Sequence, residues 1–275
     1  MTTNLSHLVD ALGRQHLPAP EARIVSLVPS ITELLCDLGL ASQVVGRTGF
    51  CIHPKAQVAA IPKIGGTKDV NIEKIRKLAP THLVVNIDEN EKPTVEALGA
   101  FVPNIVVTHP LVPRDNLALA RLMGALFGKE EQAEAWCTAF EEEYAALRAL
   151  PPAPQRTVLY CIWQDPWMSV SHDTYIAAML AELGWQVPQL ESGENAARYP
   201  RFEWSELLVN GLDAVLLSTE PYRFTEAHAD ALEKQLGIPV ILVDGEMMSW
   251  YGSRALAGLR YLRELRAMVE GAAAP

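Results

Sequence analysis

Apolar positions along this chain follow two alternating rhythms, short unbroken runs and 3.6-residue periodicity, and the alternation becomes regular at Arg23. Ile24-Val25-Ser26-Leu27-Val28 is a run of the kind buried on both faces of a sheet. Pro29-Ser30 then turns it into ITELLCDLGL, where Ser30 and Glu33 have capping-box spacing and Gly39 ends the helix. Gln43 to Gly46 predicts a second strand. Asn71 caps a helix over IEKIRKLA that Pro80 stops, and His82 to Asn86 (HLVVN) predicts the next strand. Lys92 to Leu98 follows as helix and Asn104 to Thr108 as strand, after which Asp115 caps LALARLMGALF. Upstream, residues 4 to 16 are expected to form a short amphipathic helix before the Pro18-Ala19-Pro20 break.

Lys129 to Leu150 reads as one long helix. Trp136, Phe140, Tyr144 and Leu147 form its apolar stripe, glutamates occupy most of its other faces, and Pro151-Pro152 stops it sharply. Such a rod is about 33 Å long, enough to cross a small domain. After Pro154 the pattern restarts. Thr157 to Trp163 predicts a strand, Asp173 caps TYIAAMLAELG, Glu203 to Asn210 is helical, and Asp213 to Ser218 (DAVLLS) is a strand. Thr225 caps EAHADALEKQLG, Pro239 to Asp244 predicts the last strand, and Ser253 to Glu264 a closing helix.

EKIRKLAPTHLVVN and SELLVNGLDAVLLS match as helix, short break and strand at comparable places in the two halves. The fold class is therefore α/β, with two Rossmann-like lobes of mostly parallel sheet joined by one long helix. The boundaries are an N-terminal extension over 1–22, an N-terminal lobe over 23–114, a linker with the bridging helix over 115–154, and a C-terminal lobe over 155–275. Ligands of open α/β sheets bind beyond the carboxyl ends of the strands, so a ligand is expected between the lobes.

Composition narrows the partners. The 275 residues are 49% apolar with a formal net charge of -10, so no basic stripe is present to offset nucleic-acid phosphate or an anionic membrane. No run approaches a membrane span, and the first residues lack the unbroken apolar stretch of a secretory signal, so a cytoplasmic location is expected. Cys36, Cys51, Cys137 and Cys161 are scattered without a CxxC pair and read as buried free thiols, Cys51 excepted. No GxGxxG or GxxxxGK[ST] loop, GxSxG elbow or HExxH is present, so no catalysis is expected.

The loops that follow the strands carry the candidate binding residues. RTGFCIHPKAQVAAIPKIGGTKD, about twenty residues long, exceeds a mere connection. From the first lobe come Pro29, Ser30, the Phe50-Cys51-Ile52-His53 loop, Thr67 and the Asn86-Ile87-Asp88-Glu89-Asn90 run, with Asp88 the chosen acid. From the second come Trp163, Trp167, Tyr199, Arg201, Glu220-Pro221-Tyr222, Trp250 and Tyr251. Aromatic residues outside regular elements suit a flat, mostly apolar ligand such as a tetrapyrrole or corrin ring; Trp163 and Trp250 equally suit packing. Cys51 and His53, two apart, can reach one metal ion, with a third ligand needed from elsewhere. Arg198, Arg201 and Arg254 could pair with ligand carboxylates or amide oxygens.

IVSLVPSITELLCDLGL, VVGRTGFCIHP, IPKIGGTKDVNIEKIRKLAPTHLVV, the long helix, TVLYCIW and IPVILVDGEMMSWYGSRA together resemble the substrate-binding proteins that capture cobalamin, iron-siderophores or haem for ABC importers. The resemblance runs from about Arg23 to Leu265 and implies two lobes bridged by a rigid helix with a shallow cleft. It implies non-enzymatic binding of a metal-centred macrocycle or chelate, cobalamin first, with haem, a ferric siderophore, a bare metal or a metal-dependent enzyme as alternatives. It makes His53 an axial ligand or hydrogen-bond donor and places Arg254 at the cleft. Glu73 sits where the family's first permease-docking glutamate belongs; the second position is Ser205, with Glu206 beside it. That departure and the missing signal point to a relative that binds its ligand without delivering it to an importer.

Overall fold

The computed structural model of the protein describes residues 8–191 and 196–272. The chain divides into two units. One holds the residues up to Pro110, Arg114–Glu141 and Tyr251–Arg254, and the other holds Leu111–Pro113, Glu142–Trp250 and the residues from Ala255 onward. Residues 115–141, expected in the linker, thus belong with the first unit, and the long helix changes unit between Glu141 and Glu142.

The first unit runs β1 (Ile24–Ser26), α1 (Pro29–Asp37), β2 (Val44–Arg47), α2 (Lys55–Val58), α3 (Ile72–Leu78), β3 (His82–Asn86), α4 (Lys92–Gly99), β4 (Asn104–Thr108), α5 (Asp115–Phe127) and the first part of α6 (Glu130–Arg148). Its strands lie in the order β2-β1-β3-β4 with every pair parallel, β3 facing β4 from His82–Asn104 to Asn86–Thr108. Parallel strands need crossovers, which is why helices separate them and why β1 and β3 are buried along their whole length. Leu83 and Val85, alternate residues of β3, share one core with Ile75 of α3 and Leu98 of α4. Along α6, Ala133, Cys137, Phe140 and Leu147 are buried while Trp136 and Tyr144 are half-buried, so the stripe keeps Phe140 and Leu147 and takes in two small residues.

The second unit continues with β5 (Arg156–Trp163), β6 (Met168–Ser169), α7 (Tyr175–Ala181), β7 (Trp185–Gln186), α8 (Glu206–Asn210), β8 (Ala214–Ser218), α9 (Glu226–Leu236), β9 (Val240–Val243), α10 (Gly245–Ser249) and α11 (Arg254–Ala272). The order is β6-β5-β8-β9, with β6 antiparallel to β5 and β7 parallel to the start of β5. The sheets are thus mostly parallel, and no described helix is long and apolar enough to cross a membrane.

Several expected helix starts move. α1 begins at Pro29, because a proline fits the first helical position, so Val28 is the N-cap and the Ser30–Glu33 capping box does not form. Arg114, not Asp115, caps α5, leaving Asp115 in the first turn where a negative charge meets the helix dipole. Thr174 replaces Asp173 at the start of α7, its hydroxyl accepting from Ala177 N at 3.3 Å. Asn71 and Thr225 cap as read.

The expected helix over residues 4–16 is absent from its described part, residues 8–16; residues 4–7 lie outside the described residues. The Asp10 carboxylate takes the backbone N–H groups of Leu12 and Arg14 at 2.9 and 3.0 Å, which folds the segment into a hook. The hook covers the free edge of β4, where Val107 N donates to Asp10 at 3.2 Å and Ala11 N donates to Val107 O at 2.9 Å. Asp10 also meets His16 at 3.2 Å.

His82 opens β3 almost fully buried, edge-on to the Phe127 ring. Burial, then the nearby His16, pushes its pKa down from 6.5 to about 4. Between those values the unfolded chain binds more protons, so stability is lost as pH falls through the window. In urea unfolding at pH 7 and pH 5, the wild type is expected to lose about 2 kcal/mol more than His82→Gln. Equal losses would show that His82 does not titrate this way.

Candidate ligand-binding site

The carboxyl ends of β1 to β4 bring four segments of the first unit together. After β3, Asn86 and Asn90 staple the turn: Asp88 N donates to Asn86 Oδ1 at 2.8 Å, and Asn86 N donates to Asn90 Oδ1 at 2.9 Å. Asn90 Nδ2 reaches the carbonyls of Thr67 at 3.0 Å and Leu27 at 3.4 Å, which joins the segments after β1 and around Gly65 to this turn. His109, just past β4, lies 3.4 Å from Asp88. Gly65 is required here, since at φ 114 a Cβ would fall 2.3 Å from Asp69 O.

The segment Tyr251–Arg254 is anchored in the same unit by polar contacts. The Tyr251 hydroxyl donates to Glu89, and burial, followed by the Glu89 charge, raises its pKa well above the usual value. Gly252 N donates to Asn116 Oδ1 at 2.6 Å. Arg254 grips Glu33 with two bonds of 2.9 and 2.7 Å, both side chains being only 12% exposed.

In the second unit, Trp163 at the end of β5 stands edge-on to Tyr222 at 5.4 Å, and Tyr222 accepts from Gln164 Nε2 at 2.7 Å. Trp167 stacks on Phe224 at 5.8 Å and meets Trp204 edge-on at 5.4 Å, while Tyr222 and Phe224 lie 4.6 Å apart. Trp163 and Trp167 therefore belong to one aromatic chain. The strand-like pairing of Met168 with Arg201, and of Ser169 N with Pro200 O at 3.0 Å, presents Tyr199 and exposed Arg201 beside β6. Trp250 is buried, its Nε1 donating to Glu220 at 2.6 Å. Burial raises the Glu220 pKa, and the Trp250 hydrogen bond opposes that rise. Gly245 lets α10 approach this turn, because a Cβ would come within 2.5 Å of Ser218 Oγ.

The expected residues thus separate into two layers. His53, Thr67 and Asp88 are half-buried at the first unit's strand ends, and Trp163, Tyr199 and Arg201 are exposed in the second. Pro29, Ser30, Cys51, Tyr251 and Trp250 lie beneath, and Arg254 is engaged with Glu33. Cys51 and His53, read as a pair that can reach one ion, differ in exposure. Cys51 is fully buried, its Sγ 3.1 Å from the hydroxyls of both Thr32 and Thr48, and burial pushes its thiol pKa up, away from the thiolate a metal needs. Among the described residues no three His, Cys, Asp or Glu side chains gather as a metal site. Glu73 and Glu206 are exposed in the first turns of α3 and α8, Glu73 lying 3.6 Å from Arg76. Sequence reasoning missed the supports Arg47, Thr32 and Thr48; a charged residue closing an apolar strand was the available signal.

The Glu33–Arg254 pair makes a direct test. Arg254→Met leaves a buried carboxylate alone and is expected to cost about 3–5 kcal/mol in urea unfolding. Adding Glu33→Gln should restore part of that loss. A neutral Arg254→Met would show that the pair is not buried in solution.

The family described as periplasmic binding protein matches residues 24–233. A vitamin B12-binding protein of Pectobacterium carotovorum subsp. carotovorum (strain PC1) is 22% identical over 253 residues, covering 90% of each chain. The apo form of the periplasmic heme-binding protein RhuT from Roseiflexus sp. RS-1 superposes with a TM-score of 0.74 at 22% identity, covering 92% of this chain and 100% of that one. The periplasmic vitamin B12-binding protein BtuF of Vibrio cholerae does so with a TM-score of 0.71 at 16% identity, covering 92% and 99%. With a strand order, crossover pattern and family match that agree over most of its length, this chain belongs to the periplasmic binding protein family.

Proposed function

We propose that the protein captures a metal-centred macrocycle or chelate by binding alone, with a corrinoid such as cobalamin as the first choice. The observation that carries this reading is the apolar surface left exposed at the carboxyl ends of both sheets. Phe50, Ile52 and Ile87 are 62%, 50% and 45% exposed in the first unit, and Trp163 and Tyr199 are 39% and 36% exposed in the second. Folding alone favours burying such side chains, and in each unit taken by itself they are of the kind that a flat, largely apolar ligand covers. The vitamin B12-binding relative supports a corrinoid, and the likeness to heme-binding structures keeps haem as the second choice. His53, half-buried on the same loop as Phe50 and Ile52, is the residue we assign to the metal or to a polar group of the chelate. Glu73 and Glu206 lie on helices apart from these loops and are assigned to contact with a cationic protein partner rather than with the ligand.

The test is an absorbance titration of the wild type and of His53→Ala with cyanocobalamin, haemin and a ferric chelate. One saturable spectral change is expected, with the variant weaker by about tenfold, or roughly 1.4 kcal/mol. Silence with all three compounds would overturn the macrocycle reading and favour a bare metal or a metal-dependent reaction.

A further inference from the structure

The lysines of this chain are unevenly placed. Five of its eight, Lys55, Lys63, Lys68, Lys74 and Lys77, fall between residues 55 and 77, where Asp69 and Glu73 are the only acids. All five are exposed, and among the described residues none of them is in an ion pair. Arg76 beside them is committed elsewhere, 4.0 Å over the Phe101 ring and 3.6 Å from Glu73. The α/β pattern does not call for such a run, since the matching stretch of the second unit, Ser205 to Ser218, carries no cation at all. The net charge of -10 conceals this concentration, and the expectation that no basic stripe is present is corrected.

The fold gathers the five along one border of the first unit. β2 is the edge strand of the sheet, and Lys63 pairs in parallel with Arg47 at its end. Arg47 N donates to Pro62 O at 3.0 Å, and Ile64 N donates to Arg47 O at 2.9 Å. Gly65 then pairs antiparallel with Val70, and Asn71 N donates to Ile64 O at 2.7 Å, which puts Lys68 at the tip of a hairpin. α3, bearing Lys74 and Lys77, returns along β2 and leans on Gly46, where an added Cβ would fall 2.8 Å from Leu78 Cδ1. Lys55 opens α2, whose Val58 O accepts from Arg47 Nε at 2.9 Å.

We propose that this lysine edge adsorbs to the anionic headgroups of a phospholipid bilayer, without inserting. Lysine is a strongly hydrated point charge on a flexible stem, which suits a diffuse field of mobile headgroups, whereas specific protein interfaces favour arginine and aromatic anchors and are depleted in lysine. Between residues 55 and 77 every large apolar side chain is buried or half-buried, so the edge offers charge and no apolar anchor. At about 0.1 M salt, charges more than about 10 Å away are screened, so the local balance and not the total decides adsorption. Glu73 takes no part in the lipid contact and keeps the role assigned above. Adsorption does not depend on which chelate is bound.

The experiment is co-sedimentation with vesicles of phosphatidylcholine alone and of phosphatidylcholine with phosphatidylglycerol in equal parts. The wild type is compared with Lys63→Gln/Lys68→Gln/Lys74→Gln and with Lys92→Gln/Lys129→Gln/Lys234→Gln, which removes the same charge away from the edge. The wild type is expected to sediment with the anionic vesicles only and to be released by high salt. The edge variant should bind them at least about tenfold more weakly, the off-edge variant as the wild type does, and both should keep the wild-type melting temperature. A wild type that ignores the anionic vesicles, or binds the neutral ones equally, overturns the proposal. An equal loss in both variants also overturns it, because net charge and not this edge would then be the cause. Poly-glutamate or duplex DNA held more tightly than the vesicles at the same salt would give the edge a protein or nucleic-acid partner and overturn the lipid assignment.

Discussion

One side chain, that of Asn90, holds the carboxyl-end surface of the first unit together. Where parallel strands end, backbone N–H and C=O groups run out of ladder partners and still need hydrogen bonds. An asparagine can both donate and accept. Asn90 accepts from Asn86 N and donates toward Thr67 O and Leu27 O, so it ties the ends of β1 and β3 to the Gly65 segment. The second unit meets the same need with Ser218, which accepts from the Tyr160 hydroxyl at 3.0 Å and donates to Glu220 O at 2.6 Å. Both polar anchors stand at corresponding places, at or just beyond the end of the strand paired with the unit's first one.

Satisfying the strand ends from within frees the outer layer. Once Asn90, Thr48, Thr32 and Arg47 have taken up the backbone groups and the thiol below, the surface above need not be polar, and Phe50, Ile52 and Ile87 can occupy it. In the second unit the ring chain from Trp163 through Tyr222 and Phe224 to Trp167 does similar work, holding one exposed aromatic against half-buried Tyr222, which in turn meets buried Phe224. Such surfaces are ordered before a ligand arrives, which lowers the entropy cost of binding.

Much of the fold was legible because its strands are buried on both faces and therefore read as unbroken apolar runs, as in HLVVN and AVLLS. β6 and β7 escaped notice because two residues cannot display a period. The hook over residues 8–16 was misread as a helix because its spacing is amphipathic, while the deciding contact, Asp10 against Val107, lies far away in sequence. The site was legible as a set of loops and not as orientations. Loops have no periodicity, so nothing in Phe50-Cys51-Ile52 announced that the thiol faces in and its neighbours face out. Arg254 looked available for a ligand carboxylate until Glu33, over two hundred residues earlier, was found holding it.

That last pairing bears on ligand choice, because relatives of one fold bind different chelates and the difference must lie in the side chains at the strand ends. Haem carries carboxylates, whereas the rim of a corrinoid carries mainly neutral amides. A carboxylate entering this site meets an overall charge of -10 and the local acids Asp88 and Glu89. In the same unit, Arg254, which the sequence offered for such a carboxylate, is committed to Glu33. Neutral amides avoid that repulsion and can still donate to Asp88. In the function we propose, that repulsion is the reason for testing a neutral-rimmed corrinoid ahead of haem.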